Sequence, residues 1–110
     1  MEIDSKPRRR LPAKEKSISD IQADKDVRVR IMGTIIGLND NSLVIDDGSS
    51  HLEILFDKPE LLSGLKEGQF VRVIARILPL IDGYECRGEA VQDLTGMDIN
   101  LYKQAKEILS

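Results

Sequence analysis

The sequence predicts an all-β barrel of five strands followed by a C-terminal α-helix. Three observations predict it. Apolar and polar residues alternate in five separate runs between Val27 and Val91, the period of a half-buried strand. Clusters of Asn, Asp, Gly and Ser separate several of the runs, and such clusters make turns. Beyond Leu94 the apolar spacing changes to three or four residues, which is helical.

The first strand begins at Val27, where Val27, Val29 and Ile31 alternate with Arg28, Arg30 and Met32. Gly33 interrupts the run and Thr34 to Leu38 continue it. A glycine inside a long strand marks a bulge or sharp coil, which a small barrel needs if one strand is to serve two sheets. Asn39-Asp40-Asn41 turns the chain into a second strand over Ser42 to Asp46, and Asp47-Gly48-Ser49 turns it again. In the third strand Leu52, Ile54 and Phe56 alternate with Glu53, Leu55 and Asp57.

Lys58 to Lys66 breaks the pattern; Pro59 opens a short helix with Leu61, Leu62 and Leu65 on its apolar side. The fourth strand runs from Gln69 to Leu80, with Val71, Val73, Ala75 and Ile77 on one face and Arg72, Ile74, Arg76 and Leu78 on the other. Asp82-Gly83 is a hairpin signal, and the fifth strand spans Tyr84 to Val91 with Gly88 as a second kink. The final helix is expected from about Gly96, with a stripe of Leu94, Met97, Leu101, Ala105 and Ile108. Thr95 and Asp98 have the spacing of its N-terminal cap. Five strands with a short helical link between the third and fourth suggest the OB-fold, a Greek-key barrel. The expected organisation is a disordered basic arm over 1–16, a barrel over 17–94 and an assembly helix over 95–110.

The chain has 110 residues, enough for one domain. Apolar residues are 41% and charged residues 32%, an ordinary globular composition. No apolar run reaches the roughly 18 residues of a bilayer span, and the N-terminus lacks the apolar region of a secretory signal. Neither a membrane nor a small-molecule substrate is expected as partner. Cys86 is the sole cysteine, which excludes an internal disulfide and a cysteine-based zinc site. The single cysteine and the lack of a secretory signal fit a reducing intracellular compartment. The net charge of −3 hides a split. Residues 1–16 carry six basic and three acidic side chains, and residues 17–110 carry ten and sixteen. An acidic body is a poor polyanion binder, because phosphate contacts supply most non-specific affinity. The arm, with Lys6, Arg8, Arg9 and Arg10, is either a solubilising tail or a segment that seeks phosphate or a partner.

Four stretches resemble the small OB subunits of replication protein A, especially the archaeal small-subunit type. They are Ser17-Ile18-Ser19-Asp20-Ile21, the run Val29 to Ile36, the turn Val44-Ile45-Asp46-Asp47-Gly48-Ser49, and Gly68 to Arg76 followed by Ala90-Val91-Gln92-Asp93. The Asp-Asp-Gly-Ser turn is also similar to that of the telomeric Stn1-like and Ten1-like relatives. The resemblance implies a heterotrimer that coats single-stranded DNA in replication, repair and recombination. It implies small subunits joined through a bundle of C-terminal helices, with most DNA contact carried by the largest subunit; the alternatives are a free-standing or structural OB module that binds RNA or protein, or a subunit of a telomere-capping-type complex.

The residues themselves give little support for catalysis. His51 is the one histidine, with no evident partner. Asp46-Asp47 precedes Gly48 in a turn, where side-chain-to-backbone hydrogen bonds are the ordinary role. No metal, cofactor or enzyme activity is expected. Single-strand binding calls for aromatic platforms and a positive groove. The aromatics are Phe56, Phe70, Tyr84 and Tyr102, and Phe56 shares the phase of the core. Candidates for nucleic-acid contact are therefore Arg28, Arg30, Arg72, Arg76, Phe70 and Tyr84. Arg87 is a further cation beside them. The alternative is a solvated face on which these arginines pair with Glu53, Glu85 and Glu89. The helix stripe is the candidate subunit interface, packing either on partner helices or on its own barrel.

Overall fold

The computed structural model describes residues 12–95. They form six strands: β1 (Lys14–Glu15), β2 (Arg28–Leu38), β3 (Ser42–Asp46), β4 (His51–Phe56), β5 (Phe70–Pro79) and β6 (Tyr84–Asp93). Short 3-10 turns occupy Ile18–Asp20 and Pro59–Leu62. The neighbour order is β1-β2-β3-β4-β6-β5, and β5 pairs again with β2, so β2 to β6 close into a five-stranded barrel. The β4–β6 pair is parallel and the other barrel pairs are antiparallel. A barrel of this order leaves few exposed edges.

The period-two pattern sets the core. Val29, Ile31, Ile35, Leu43, Ile45, Ile54, Phe56, Val71, Val73, Ala75 and Cys86 face inward and are at most 2% exposed. Burying each larger side chain stabilises the fold by roughly 1.5–3 kcal/mol. Gly33 sits where β2 begins to pair with β3. A Cβ there would lie 2.5 Å from the backbone oxygen of Asp46, so glycine is what lets the two backbones approach.

Two bulges change the phase of the strands. The β2–β3 register jumps from Ile35↔Ile45 to Gly37↔Val44. Ile36 is left outside at 49% exposure, while Leu38 turns back toward the core. The β5–β6 register jumps from Ile74↔Ala90 to Ala75↔Gly88, so Glu89 is the extra residue. A bulge re-aims the side chain it carries, and Glu89 is used in this way.

Two parts of the expected architecture are corrected. The basic arm does not extend to residue 16. Lys14 and Glu15 pair with Val29 and Arg30, the Lys16 amide donates to the Arg30 carbonyl at 3.1 Å, and Ile18 is buried. The C-terminal α-helix is not supported, because the described residues contain no α-helix. The positions expected to carry it, Met97, Leu101, Ala105 and Ile108, lie outside the described residues. At Leu94 and Thr95 the chain is still closing the barrel. Leu94 is buried, and its amide donates to the Phe70 carbonyl at 2.8 Å. The Thr95 hydroxyl, expected to cap a helix, accepts the Phe70 amide at 3.3 Å.

Candidate nucleic-acid interface

The outer face of β2, β5 and β6 collects the arginines. Register places Arg28 beside Arg76 and Arg76 beside Arg87, a row across three strands. Arg30 lies opposite Ile74, and Arg72 lies between Met32 and Gln92. The alternation thus brings these arginines together across neighbouring strands.

That face is already neutralised. Glu89, turned outward by its bulge, bridges Arg28 Nε at 2.7 Å and Arg76 Nε at 3.5 Å. Arg87 holds Asp57 at 2.7 Å through Nη1 and Glu85 through Nε. Arg30 meets Glu15 of β1 at 3.7 Å. Arg72 donates to the Gln92 side chain at 3.0 Å through Nη1, and its enclosed Nε has no hydrogen-bond partner. Such surface pairs contribute about 0–1 kcal/mol each to stability. Their larger effect is to cancel the potential a phosphate would feel. Glu85 and Glu89 act as the paired-face reading expects. Glu53 instead accepts the Ser42 hydroxyl at 3.0 Å.

The aromatic candidates do not form one platform. Phe70 opens β5, and Tyr84 pairs with Pro79 at its other end. The ten residues of β5, at about 3.3 Å each, separate the two positions by up to about 30 Å along the strand. Phe56 is core. Tyr84 is half-buried against the core, and burial, then the nearby Cys86 and Asp26, raise its pKa. Lys6, Arg8, Arg9 and Arg10 lie outside the described residues.

The turn residues show a role the spacing alone does not give. Asp46 Oδ1 accepts the Gly48 amide at 2.7 Å, and Asp47 Oδ1 accepts the Ser49 and Ser50 amides at 2.9 and 3.2 Å. Asp47 Oδ2 reaches back to the Ile18 amide at 2.8 Å, and Ser49 Oγ accepts the Ser19 amide at 3.2 Å. Two segments that carry the family resemblance are thus one structure, a latch from the N-terminal segment to the β3–β4 turn.

His51 is exposed at the start of β4, opposite Asp46. Cys86 is a small apolar filler whose thiol is pushed by burial up to about 12. A thiol reacts as its thiolate, so native Cys86 is expected to react with a disulfide reagent at pH 8 at least about a hundredfold more slowly than in the urea-unfolded chain. Equal rates in native and unfolded chains would contradict this burial.

Sequence reasoning missed a cleft of about 520 Å³ beside the arginine row, lined by Val27, Lys58 and Leu61 as well as Arg28, Arg76 and Arg87. It also missed the exposed Leu80-Ile81 pair at the hairpin tip. Two aliphatics ahead of Asp82-Gly83, where turn residues are usually polar, were the available signal.

The strand order, the parallel β4–β6 pair and the short link between β4 and β5 define an OB-fold barrel. Solved structures agree. Telomere capping protein Ten1 from S. pombe aligns with a TM-score of 0.65 at 19% identity, over 86% of this chain and 93% of that one. A chain of the S. pombe Stn1–Ten1 complex gives 0.64 at 18%, over 86% and 89%. A replication protein A heterotrimer bound to single-stranded DNA gives 0.55 at 14%, over 78% and 71%. At these identities the likeness shows the shared fold. No family model matches the chain, and no curated sequence relative matches it.

Proposed function

We propose that this chain is a small subunit of a multi-subunit single-stranded-DNA-binding complex of the replication protein A type. It serves DNA replication, repair and recombination inside the cell, in an archaeal cytoplasm or a nucleus. It acts mainly through assembly with other OB-fold subunits, contributes weak DNA contact of its own, and is not an enzyme. One observation carries the reading: a barrel fold shared with such subunits presents arginines that its own carboxylates already hold. Stacking gives roughly 1–3 kcal/mol per base, and two half-buried rings at opposite ends of a strand cannot stack successive bases.

The isolated chain is expected to bind oligothymidine with a dissociation constant of about 1 μM or weaker at physiological salt, weakening further as salt rises. Fluorescence anisotropy measures this, and low-nanomolar binding by the isolated chain would overturn the proposal. A telomere-capping-type complex is the second reading. It is favoured by the higher TM-score and the 93% coverage of Ten1. The identity of the co-purifying subunits separates the two.

A further inference from the structure

We propose that this chain's own DNA contact is a one-nucleotide subsite formed by Phe70, Arg72 and Gln92 on the outer face of β5 and β6, apart from the paired arginine row. The inference rests on the reading of the chain as part of a single-strand-binding complex, and it says which of its residues touch the strand. Its first support is charge. Arg28, Arg30, Arg76 and Arg87 each sit in an ion pair with a carboxylate. Among the described arginines Arg72 differs, because its partner is neutral: Nη1 donates to the Gln92 side chain at 3.0 Å. Its Nε is enclosed and has no hydrogen-bond partner. The guanidinium therefore keeps its charge and has donors unused. A phosphate takes such a group through charge-assisted hydrogen bonds.

The second support is what stands beside it. Val71 and Val73 are fully buried, so alternation puts Phe70, Arg72 and Ile74 on the outer face of β5. Phe70 and Arg72 are two residues apart on that face, about 7 Å along the strand. Tyr84 packs against the core, whereas the half-buried Phe70 stands outside that cluster. Its ring is therefore the one placed to take a base, and stacking on an aromatic ring tolerates any base. Met32 lies opposite Arg72 on β2, and Gln92 lies opposite it on β6. Gln92 is exposed; while its oxygen holds Arg72, its amide nitrogen can donate to a base edge.

The carboxylates nearest by register are engaged elsewhere. Asp46 stands across Thr34 from Phe70, and Asp93 lies opposite Val71. Asp46 Oδ1 accepts the Gly48 amide at 2.7 Å, and Asp93 Oδ1 accepts the Thr95 amide at 2.8 Å. One ring and one guanidinium without a carboxylate serve one nucleotide, with its base on Phe70 and its phosphate at Arg72. An acidic peptide could use Arg72 but would leave Phe70 without a stacking partner.

The test is a titration of the isotopically labelled full chain with oligothymidine at low salt, followed by NMR. The amides of Phe70, Arg72, Gln92 and the facing Met32 are expected to shift, and those of Arg28, Arg76 and Arg87 to stay in place. An oligomer of equal length with abasic sites should bind at least about fivefold more weakly, and Phe70→Leu should lose a similar factor, because one stacked base is lost. Arg72→Gln should weaken binding and flatten the slope of log affinity against log salt by about 0.7, the share of one phosphate on a single strand. Arg76→Gln, at an exposed side chain already held by Glu89, should change neither quantity. Melting curves check that each variant folds; if Phe70→Leu does not, the native chain's amide shifts and the abasic oligomer decide. Absent binding, shifts confined to the arginine row, or equal affinity for the abasic oligomer would overturn the subsite. So would a glutamate-rich peptide shifting these amides at lower concentration than oligothymidine, which would make the patch a protein-docking site. The subunit reading fails separately, if the chain does not co-purify with other OB-fold subunits.

Discussion

Replacing Gly88 with alanine is expected to destabilise the barrel by about 2–3 kcal/mol. Gly88 lies opposite Phe56 in the parallel β4–β6 pair. An added Cβ would fall 2.2 Å from Cε2 and 2.3 Å from Cζ of that ring. Phe56 is 2% exposed, so the ring has no solvent to swing into and the strands must part instead. The cause is steric and specific to one partner, which makes it separable. In a Phe56→Leu background the ring is gone, and the added cost of Gly88→Ala should fall by about 1 kcal/mol or more. Denaturant unfolding of the four chains in that cycle measures the coupling. Strict additivity would show that the ring contact is not the cause. At Gly33 the clash is with backbone, so no comparable second-site relief is expected there.

Asp47→Ala should cost about 2–3 kcal/mol, since one carboxylate satisfies the Ile18, Ser49 and Ser50 amides and the Ser49 hydroxyl and hydrogen bonds to a charged group contribute roughly 1.5–3 kcal/mol. Asp47→Asn keeps one acceptor oxygen but turns an N–H group toward another donor, so it should recover little. The pH dependence gives a second readout. Burial raises the Asp47 pKa, but hydrogen bonds from the Ser49 side chain and from the Ile18, Ser49 and Ser50 amides outweigh it, leaving the carboxyl below its ordinary 3.8. A folded value below the unfolded one gives stability that is present above the unfolded pKa and is lost as pH falls through the folded pKa. The stability gap between the native chain and Asp47→Asn should therefore be constant from neutral pH down to about 5 and narrow below about 4. A gap of unchanged size at pH 3 would contradict the latch.

Much of the fold is legible because strand burial has period two. Val29, Ile31, Ile45, Ile54, Val71 and Val73 fall on the inner face as their spacing dictates, and Pro59 starts a turn as its ring favours. The bulges at Ile36 and Glu89 are less visible. A single extra residue reverses the phase of the rest of its strand, and the neighbouring Gly37 and Gly88 only hint at where. The strand β1 is invisible to periodicity, since two residues make no pattern. For the site, the arginines are legible as an outward face, but what they touch is not. Arg28 and Glu89 are 61 positions apart in sequence, and only the closed register brings them together. Thr95 shows how a local signal loses to tertiary context. Its spacing to Asp98 fits a cap, yet its hydroxyl accepts the Phe70 amide at the end of the barrel.

The most direct measurement of the central claim is a side-by-side titration of oligothymidine with the isolated chain and with the complex purified through a tag on it. The chain is expected to co-purify with larger OB-fold subunits, and the complex to bind at least about a hundredfold more tightly than the chain alone, a difference of about 2.7 kcal/mol. A chain that purifies alone, or that binds single-stranded DNA as tightly by itself as its complex does, would contradict it.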